Sequence, residues 1–243
     1  MTTKIVRLEE IDSTNIYLRE WADYYLEDMV IATAEYQTRG KGQGRNSWES
    51  EKGKNLLFSI LVRPQMIPVK HQFILSVAGA LALKKVLDYY VTEISLKWPN
   101  DIYWKDRKLS GTLIETSIDR NSIKKCIFGV GLNVNQLQFL SDAPNPVSLA
   151  QILGHELDRN KLLDEVIEAF TDEYEMLCSE DHTAICANYF EALYRREGYF
   201  KYRDAAGLFE ARIDYVNEDG HLILQHESGE YREYAFKEVE FII

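Results

Sequence analysis

The sequence predicts an α+β fold, and three observations predict it. The strand-like runs GTLIETSI and KKCIFGVGLNV are joined by the turn residues DRNS, a hairpin, which implies antiparallel neighbours rather than a doubly wound parallel sheet. Helical patterns occupy residues 69–90 and 148–195. From Gly198 onward short alternating strands take over, which places a domain boundary near residue 197.

In order along the chain, IDSTNIYLREWADYYLE offers Asp12 or Ser13 as an N-cap, then Ile16, Leu18, Trp21, Tyr24 and Tyr25 at mostly helical spacing. MVIATAEYQ is rich in β-formers and runs into a glycine loop, so the first unit reads helix, strand, loop. NLLFSILVRP is a buried strand stopped by Pro64, followed by the long apolar helix. EISLKW, the turn PND, the short strand IYW and the polar turn KDRK lead into the hairpin, and residues 134–147 form a loop. SLAQILG is a helix stopped at Gly154, and NKLLDEVIEAFTDEYEMLC and HTAICANYFEALYRRE are two more. In NEDGHLILQ, Asp219-Gly220 is a hairpin turn.

The 243 residues suffice for one large domain, or one domain with a small appendage. A net charge of -11 argues against non-specific binding to nucleic acid or an anionic membrane, since both require a cationic surface. Cys126, Cys178 and Cys186 are odd in number and lack metal-ligand spacing, which suits reduced cysteines in a cytoplasmic protein. Acidic residues stand where a signal peptide has its apolar core, and FILSVAGALALKKVL is shorter than the roughly 20 residues of a membrane span.

Against that acidic background QTRGKGQGR, residues 37–45, is locally basic and alternates glycine with polar or cationic residues. Such a backbone lets N–H groups and cations converge on a small anion; a merely flexible connection is the alternative. The loop fits neither GxxxxGK[ST] nor a helix-opening GxGxxG. In KWPNDIYWKDRKLSG, residues 97–111, Asn100-Asp101 makes a turn at a strand end. Asp101 is placed to hold a ligand hydroxyl, a metal or its own backbone. Lys97 and Lys108 flank the turn and suit a triphosphate and a carboxylate, unless both are ordinary solvated lysines. The glycines of GVGLNVN, residues 129–135, mark close approach of a ligand or another backbone, and Asn133 projects an amide near the strand end.

STN (13–15), EYQTRGKGQGRNSW (35–48), KWPND (97–101), RKLSG (107–111) with Glu115 following, and GVGLNVN occur in the order seen in biotin protein ligases, the biotin-[acetyl-CoA-carboxylase] ligases, and the chain resembles that family. The resemblance implies a catalytic domain over residues 1–196, built on a mixed, largely antiparallel sheet with helices packed on one side, then a small SH3-like β-barrel over 197–243. It also implies a reaction in which biotin and ATP with Mg2+ give biotinyl-5'-AMP, whose biotinyl group passes to a lysine of a biotin carboxyl carrier domain. Two anions must be brought together, so fixed N–H donors and positive charge lower the barrier by electrostatics and positioning.

Carried over residue by residue, the resemblance assigns biotin binding to Ser13, Thr14, Asn15, Gln37, Gly40, Lys41, Gly42, Gln43, Lys108 and Gly111. It assigns the ATP and Mg2+ side to Trp48, Lys97, Asn100, Asp101 and Asn133, without identifying metal ligands. Lys108, Lys41, Gln43 and Arg45 are the catalytic candidates. The usual loop reads GRGRxGR; here Lys41 and Gln43 replace arginines, so Arg45 or Arg39 is expected to take over retention of the adenylate. The loop over residues 38–47 is expected to order only around an anion, because its glycines make ordering costly. The ligase motifs begin at Ser13, leaving no room for a DNA-binding helix-turn-helix, so no operator binding is expected. A lipoate ligase is the nearest rival, but the RRxSGGGAV-type stretch of that family is absent. A non-catalytic biotin- or nucleotide-binding protein is the rival of a different class, and a monomer and a homodimer are equally open.

Overall fold

The computed structural model describes residues 1–44, 46–141, 145–178 and 182–243. Seven strands form the larger sheet: β1 (Thr3–Ile11), β2 (Met29–Gln37), β3 (Leu56–Val62), β4 (Ile94–Lys97), β5 (Asp101–Trp104), β6 (Arg107–Asp119) and β7 (Ser122–Leu132). Their spatial order is β1-β2-β3-β7-β6-β5-β4. β1 and β2 are parallel and the remaining pairs antiparallel, giving the mixed, largely antiparallel sheet.

β1 corrects the helix, strand, loop reading of the first unit. TKIVRLEEI has four charged residues and no fully buried one, because it is an edge strand joined to the sheet mainly through its backbone. With β1 in place, β1, α1 (Thr14–Trp21) and β2 form a strand-helix-strand crossover, the connection that parallel strands require.

The helices lie on both faces of the sheet, not on one. Successive side chains of a strand point to opposite faces, and here they separate into two cores. Met29, Ile31, Phe58, Ile60, Val62, Phe128 and Val130 pack with α2 (Phe73–Tyr90) and α4 (Arg159–Leu177). Val30, Ala32, Leu61 and Ile127 instead meet Leu18 of α1 and Ala22 just beyond it. The physical cause is the β1-α1-β2 crossover, which carries α1 over the face that the later helices leave uncovered.

α2 is apolar nearly all round because the sheet covers one side and α4 another. α3 (Leu149–Leu153) opens with a Ser148/Gln151 capping box and stops at Gly154, whose φ of 79° is left-handed. α4 is capped by Asp158, and α5 (Thr183–Glu191) follows. Among the described residues no helix is long and apolar enough to cross a membrane.

The second sheet is antiparallel throughout, ordered β11-β10-β9-β8-β12 from β8 (Phe200–Asp204), β9 (Gly207–Val216), β10 (Leu222–His226), β11 (Tyr231–Tyr234) and β12 (Glu240–Phe241). Gly220, at φ 87°, turns the β9-β10 hairpin. The Trp98 indole N–H donates to the Gly220 carbonyl at 2.9 Å, which fastens this hairpin to the end of β4.

Tyr202 is fully buried against Phe209 and Phe241, and its hydroxyl has no hydrogen-bond partner among the described residues. Removing an unpaired buried hydroxyl relieves a desolvation penalty, so Tyr202→Phe is expected to stabilise the protein by ~1 kcal/mol. Scanning calorimetry checks this; a lowered unfolding temperature would show that the hydroxyl makes a bond.

Candidate functional site

The sheet face that carries α1 is apolar under the helix and hollow beyond it. Across β3, β7, β6 and β5 the residues Leu57, Gly131, Gly111 and Asp101 lie in register, and Ser59, Gly129 and Leu113 form the next row. A Cβ on Gly129 would come within 2.0 Å of Asn15 Oδ1, and one on Gly131 within 2.3 Å of the Trp48 indole. On Gly111 it would meet Trp48 at 3.0 Å and Lys108 Cε at 3.2 Å. The glycines therefore form a floor on which side chains rest, where GVGLNVN is read as admitting a ligand or another backbone. Above it opens a cleft of about 1190 Å³.

One end of the cleft is neutral and polar. Ser13 is the N-cap of α1, Thr14 and Asn15 are in its first turn, and all three are buried. The Thr14 N–H and hydroxyl donate to Gln37 Oε1 at 2.7 and 3.1 Å, which orients the Gln37 amide with its NH2 available as a donor. Ser59 Oγ lies 2.7 Å from Thr14 Oγ1 and 2.6 Å from Asn15 Oδ1. Asn15 Nδ2 in turn donates to Glu115 at 2.9 Å, so the Asn15 amide is committed to protein partners. Sequence reasoning missed Ser59; its one signal is a hydroxyl inside the otherwise apolar run LLFSILV.

The other end is charged. Lys108 Nζ is 2.7 Å from Asp101, with both side chains largely buried. They meet because the β5-β6 register shifts between Ile102 and Tyr103, which turns Lys108 onto the face of Asp101 and Gly111. Lys97 Nζ lies over the rings of Phe241 and Tyr103, at 4.7 and 5.5 Å from their centroids. Burial holds the Lys97 ammonium below the usual lysine pKa, with the Asp101 charge opposing the shift. Asn100 donates to the Thr112 carbonyl. Asn133 Nδ2 bonds the Val147 carbonyl at 3.1 Å, while its Oδ1 is buried without a partner among the described residues.

The glycine loop is a hairpin: Trp48 N–H donates to the Gly40 carbonyl at 2.9 Å and Gly42 N–H to the Asn46 carbonyl at 2.8 Å. These cross-loop bonds satisfy backbone groups that the glycines leave free to pair. Lys41, Gly42 and Gln43 line the cleft, whereas Gly40 stands behind it against Trp48. Arg39 turns outward, 3.5 Å from Asp12. Arg45 lies outside the described residues. The Trp48 indole covers Gly131 with Lys108 Nζ 5.8 Å from its ring centroid, and its buried N–H has no acceptor among the described residues. Glu49 accepts the N–H groups of Leu140 and Ser141; these bonds outweigh burial and keep its carboxyl below the usual range.

The second sheet and the segment after it contribute Arg203, Phe236, Lys237 and residues 239–243 to the cleft wall, and no motif indicated them. The whole arrangement suits an elongated ligand with a neutral hydrogen-bonding head and an anionic remainder. Among the described residues no group of three or more His, Cys, Asp or Glu could hold a metal ion.

Comparison with known proteins places this cleft in context. Residues 8–133 match the biotin/lipoate A/B protein ligase family. The bifunctional ligase/repressor BirA of Bacillus spizizenii is 25% identical over 235 residues, covering 94% of this chain and 71% of that protein. A biotin--[acetyl-CoA-carboxylase] ligase of Mycobacterium tuberculosis is 31% identical over 144 residues, 58% of this chain and 52% of that one. The Aquifex aeolicus biotin protein ligase solved in complex with biotin and ATP superposes with a TM-score of 0.81 at 26% identity, over 98% of this chain and 97% of that one.

Proposed function

The chain belongs to the biotin/lipoate A/B protein ligase family, and from that premise we infer that it is an ATP-dependent, AMP-forming biotin protein ligase. The observation that carries this reading is the continuity of the cleft from the Thr14–Gln37 hydrogen bonds, over the Gly111/Gly131 floor, to the Lys108–Asp101 pair. In the first step the biotin carboxylate attacks the α-phosphorus of ATP, forming a mixed anhydride as the bond to pyrophosphate breaks. In the second, a lysine amine of a biotin carboxyl carrier domain attacks the acyl carbon, and AMP leaves as an amide forms and a proton is lost.

The ureido ring is held by Ser13, Thr14 and the Gln37 NH2, with Asn15 fixing their geometry from behind. Gly131 leaves room for the Trp48 indole, and Gly111 for the ligand beside it. Lys108 sits where carboxylate and phosphate meet, and its positive charge offsets the negative charge gathered in the transition state. Lys41, Gly42 and Gln43 of the loop close over that point; the Gln43 side chain can donate there but adds no charge. Lys97 and the Asn133 Oδ1 face the nucleotide, with Asn100 shaping the turn that presents Asp101. Mg2+ suits this donor set only as a companion of the ATP phosphates, with Asp101 as the protein carboxylate beside it, where it would supply charge neutralisation of the departing pyrophosphate. In this reading residues 1–196 are the catalytic unit and 197–243 its cap, acting in the cytoplasm.

The depressed pKa of Lys97 has a testable sign. Its ammonium is lost at lower pH than that of an exposed lysine, so ATP affinity is expected to fall as pH rises through that value, and Lys97→Arg, which stays charged, is expected to flatten the profile. Calorimetric ATP titration against pH measures both. The same shift makes folding more favourable as pH rises from the folded toward the unfolded pKa, because the unfolded chain then binds more protons.

The experiment that tests the function is mass spectrometry of an apo carrier domain incubated with the protein, MgATP and either biotin or lipoate. An ATP-dependent gain of one biotinyl group is expected. A lipoyl gain instead would move the activity to the other branch of the family, and no gain with either acid despite biotin binding would indicate a non-catalytic protein.

A further inference from the structure

We propose that Lys237, from the C-terminal segment, is a nucleotide-binding residue whose ammonium closes on the phosphates of the bound nucleoside triphosphate and clamps them against the glycine loop. The inference rests on the ligase reading above.

Lys237 lies in the turn between β11 and β12 and has a left-handed φ of 69°, an uncommon conformation for a residue with a Cβ. The turn is held by Glu238 N–H to the Ala235 carbonyl at 3.1 Å and by Ala235 N–H to the Glu238 carboxylate at 2.8 Å. So constrained, the side chain is exposed and reaches the glycine loop about 190 residues earlier in the chain. A Cβ on Gly44 would stand 2.3 Å from Lys237 Nζ, and Gly44 itself has a φ of 69°. Glycine thus both permits the loop conformation and leaves space for the ammonium.

The charges around the cleft point the same way. Its walls carry Lys41, Lys97, Lys108, Arg203 and Lys237 among the described residues. Lys108 is neutralised by Asp101 at 2.7 Å and Arg203 by Glu240 at 2.9 Å, while Lys97 is only partly exposed, its ammonium lying over two rings. Glu49, the other acidic side chain of the wall, accepts the Leu140 and Ser141 N–H groups. Lys41 and Lys237 are therefore the exposed cations with no carboxylate within 4.0 Å among the described residues. Lys41 belongs to the loop and Lys237 reaches it at Gly44, while the loop's Gln43 is neutral. A polyanion entering there gains two unneutralised partners, one from each sheet's side of the cleft.

The test uses the full chain and its Lys237→Met and Lys237→Arg variants, with biotin-dependent pyrophosphate release measured at varied ATP and varied biotin. Lys237→Met is expected to raise the KM for ATP by about tenfold or more, as loss of a hydrogen bond to a charged group does. The KM for biotin and the unfolding temperature should stay at their wild-type values, and Lys237→Arg should restore ATP binding. Calorimetric titration with a non-hydrolysable ATP analogue gives the same comparison where turnover is slow. An unchanged ATP KM in Lys237→Met overturns the inference and leaves the ligase reading intact. A rise in both KM values that arginine does not rescue also overturns it, since that is the behaviour of a distorted loop. Absence of ATP-dependent turnover in the wild-type protein overturns the ligase reading, and the inference with it.

Discussion

Lys108→Ala is expected to lower the rate of biotin activation by about 10²–10³-fold, the loss typical when one preorganised charge or donor facing a developing anion is removed. Two features make this the largest effect at the site. Lys108 is the cation that stands at the junction of the glycine floor and the charged end, with its Cε 3.2 Å from the position of a Cβ on Gly111. Its removal also leaves Asp101, only 21% exposed, without its ion-pair partner, which puts an uncompensated negative charge where two anions must approach. Single-turnover pyrophosphate release separates the two steps of the reaction. A defect confined to transfer onto the carrier domain, with activation at the wild-type rate, would remove Lys108 from the chemistry of the first step.

Gly129→Ala is expected to weaken biotin binding by about tenfold or more and to destabilise the fold by roughly 1–3 kcal/mol, the cost of overpacking a well-filled site. The added methyl would sit 2.0 Å from Asn15 Oδ1, and Asn15 cannot readily yield. Its oxygen is bonded to Ser59 at 2.6 Å and its nitrogen to Glu115 at 2.9 Å, and Ser59 also touches Thr14, which orients Gln37. A shift of Asn15 is therefore transmitted to the donors proposed for the ureido ring. Calorimetric biotin titration and thermal unfolding measure the two consequences separately. Unaltered biotin affinity together with a lower unfolding temperature would make this network a purely structural one.

Elements of this protein differ in how plainly the sequence announces them. The β6-β7 hairpin and the Asp219-Gly220 turn were legible because local turn chemistry decides them. α2 was legible because a long apolar segment ending in a short polar turn has few alternatives. β1 was not, since an edge strand with four charges and no buried side chain carries almost no periodic signal. The position of α1 was not either: helical spacing identifies an apolar stripe but cannot say which face of a sheet it will cover.

The same division holds within the cleft. Sequence by itself determined the chemical stock of the site, because a glycine loop with alternating cations, the Asn100-Asp101 turn and the strand glycines each have a local physical meaning. The tertiary structure decided which of these converge. The β5-β6 register shift turns Lys108 toward Asp101, Ser59 on β3 joins Thr14 to Asn15, and the turn after β11 brings Lys237 to Gly44. Each of those contacts joins different strands, helices or loops, and the free energy that selects it comes from packing of the surrounding core rather than from any preference of the local segment.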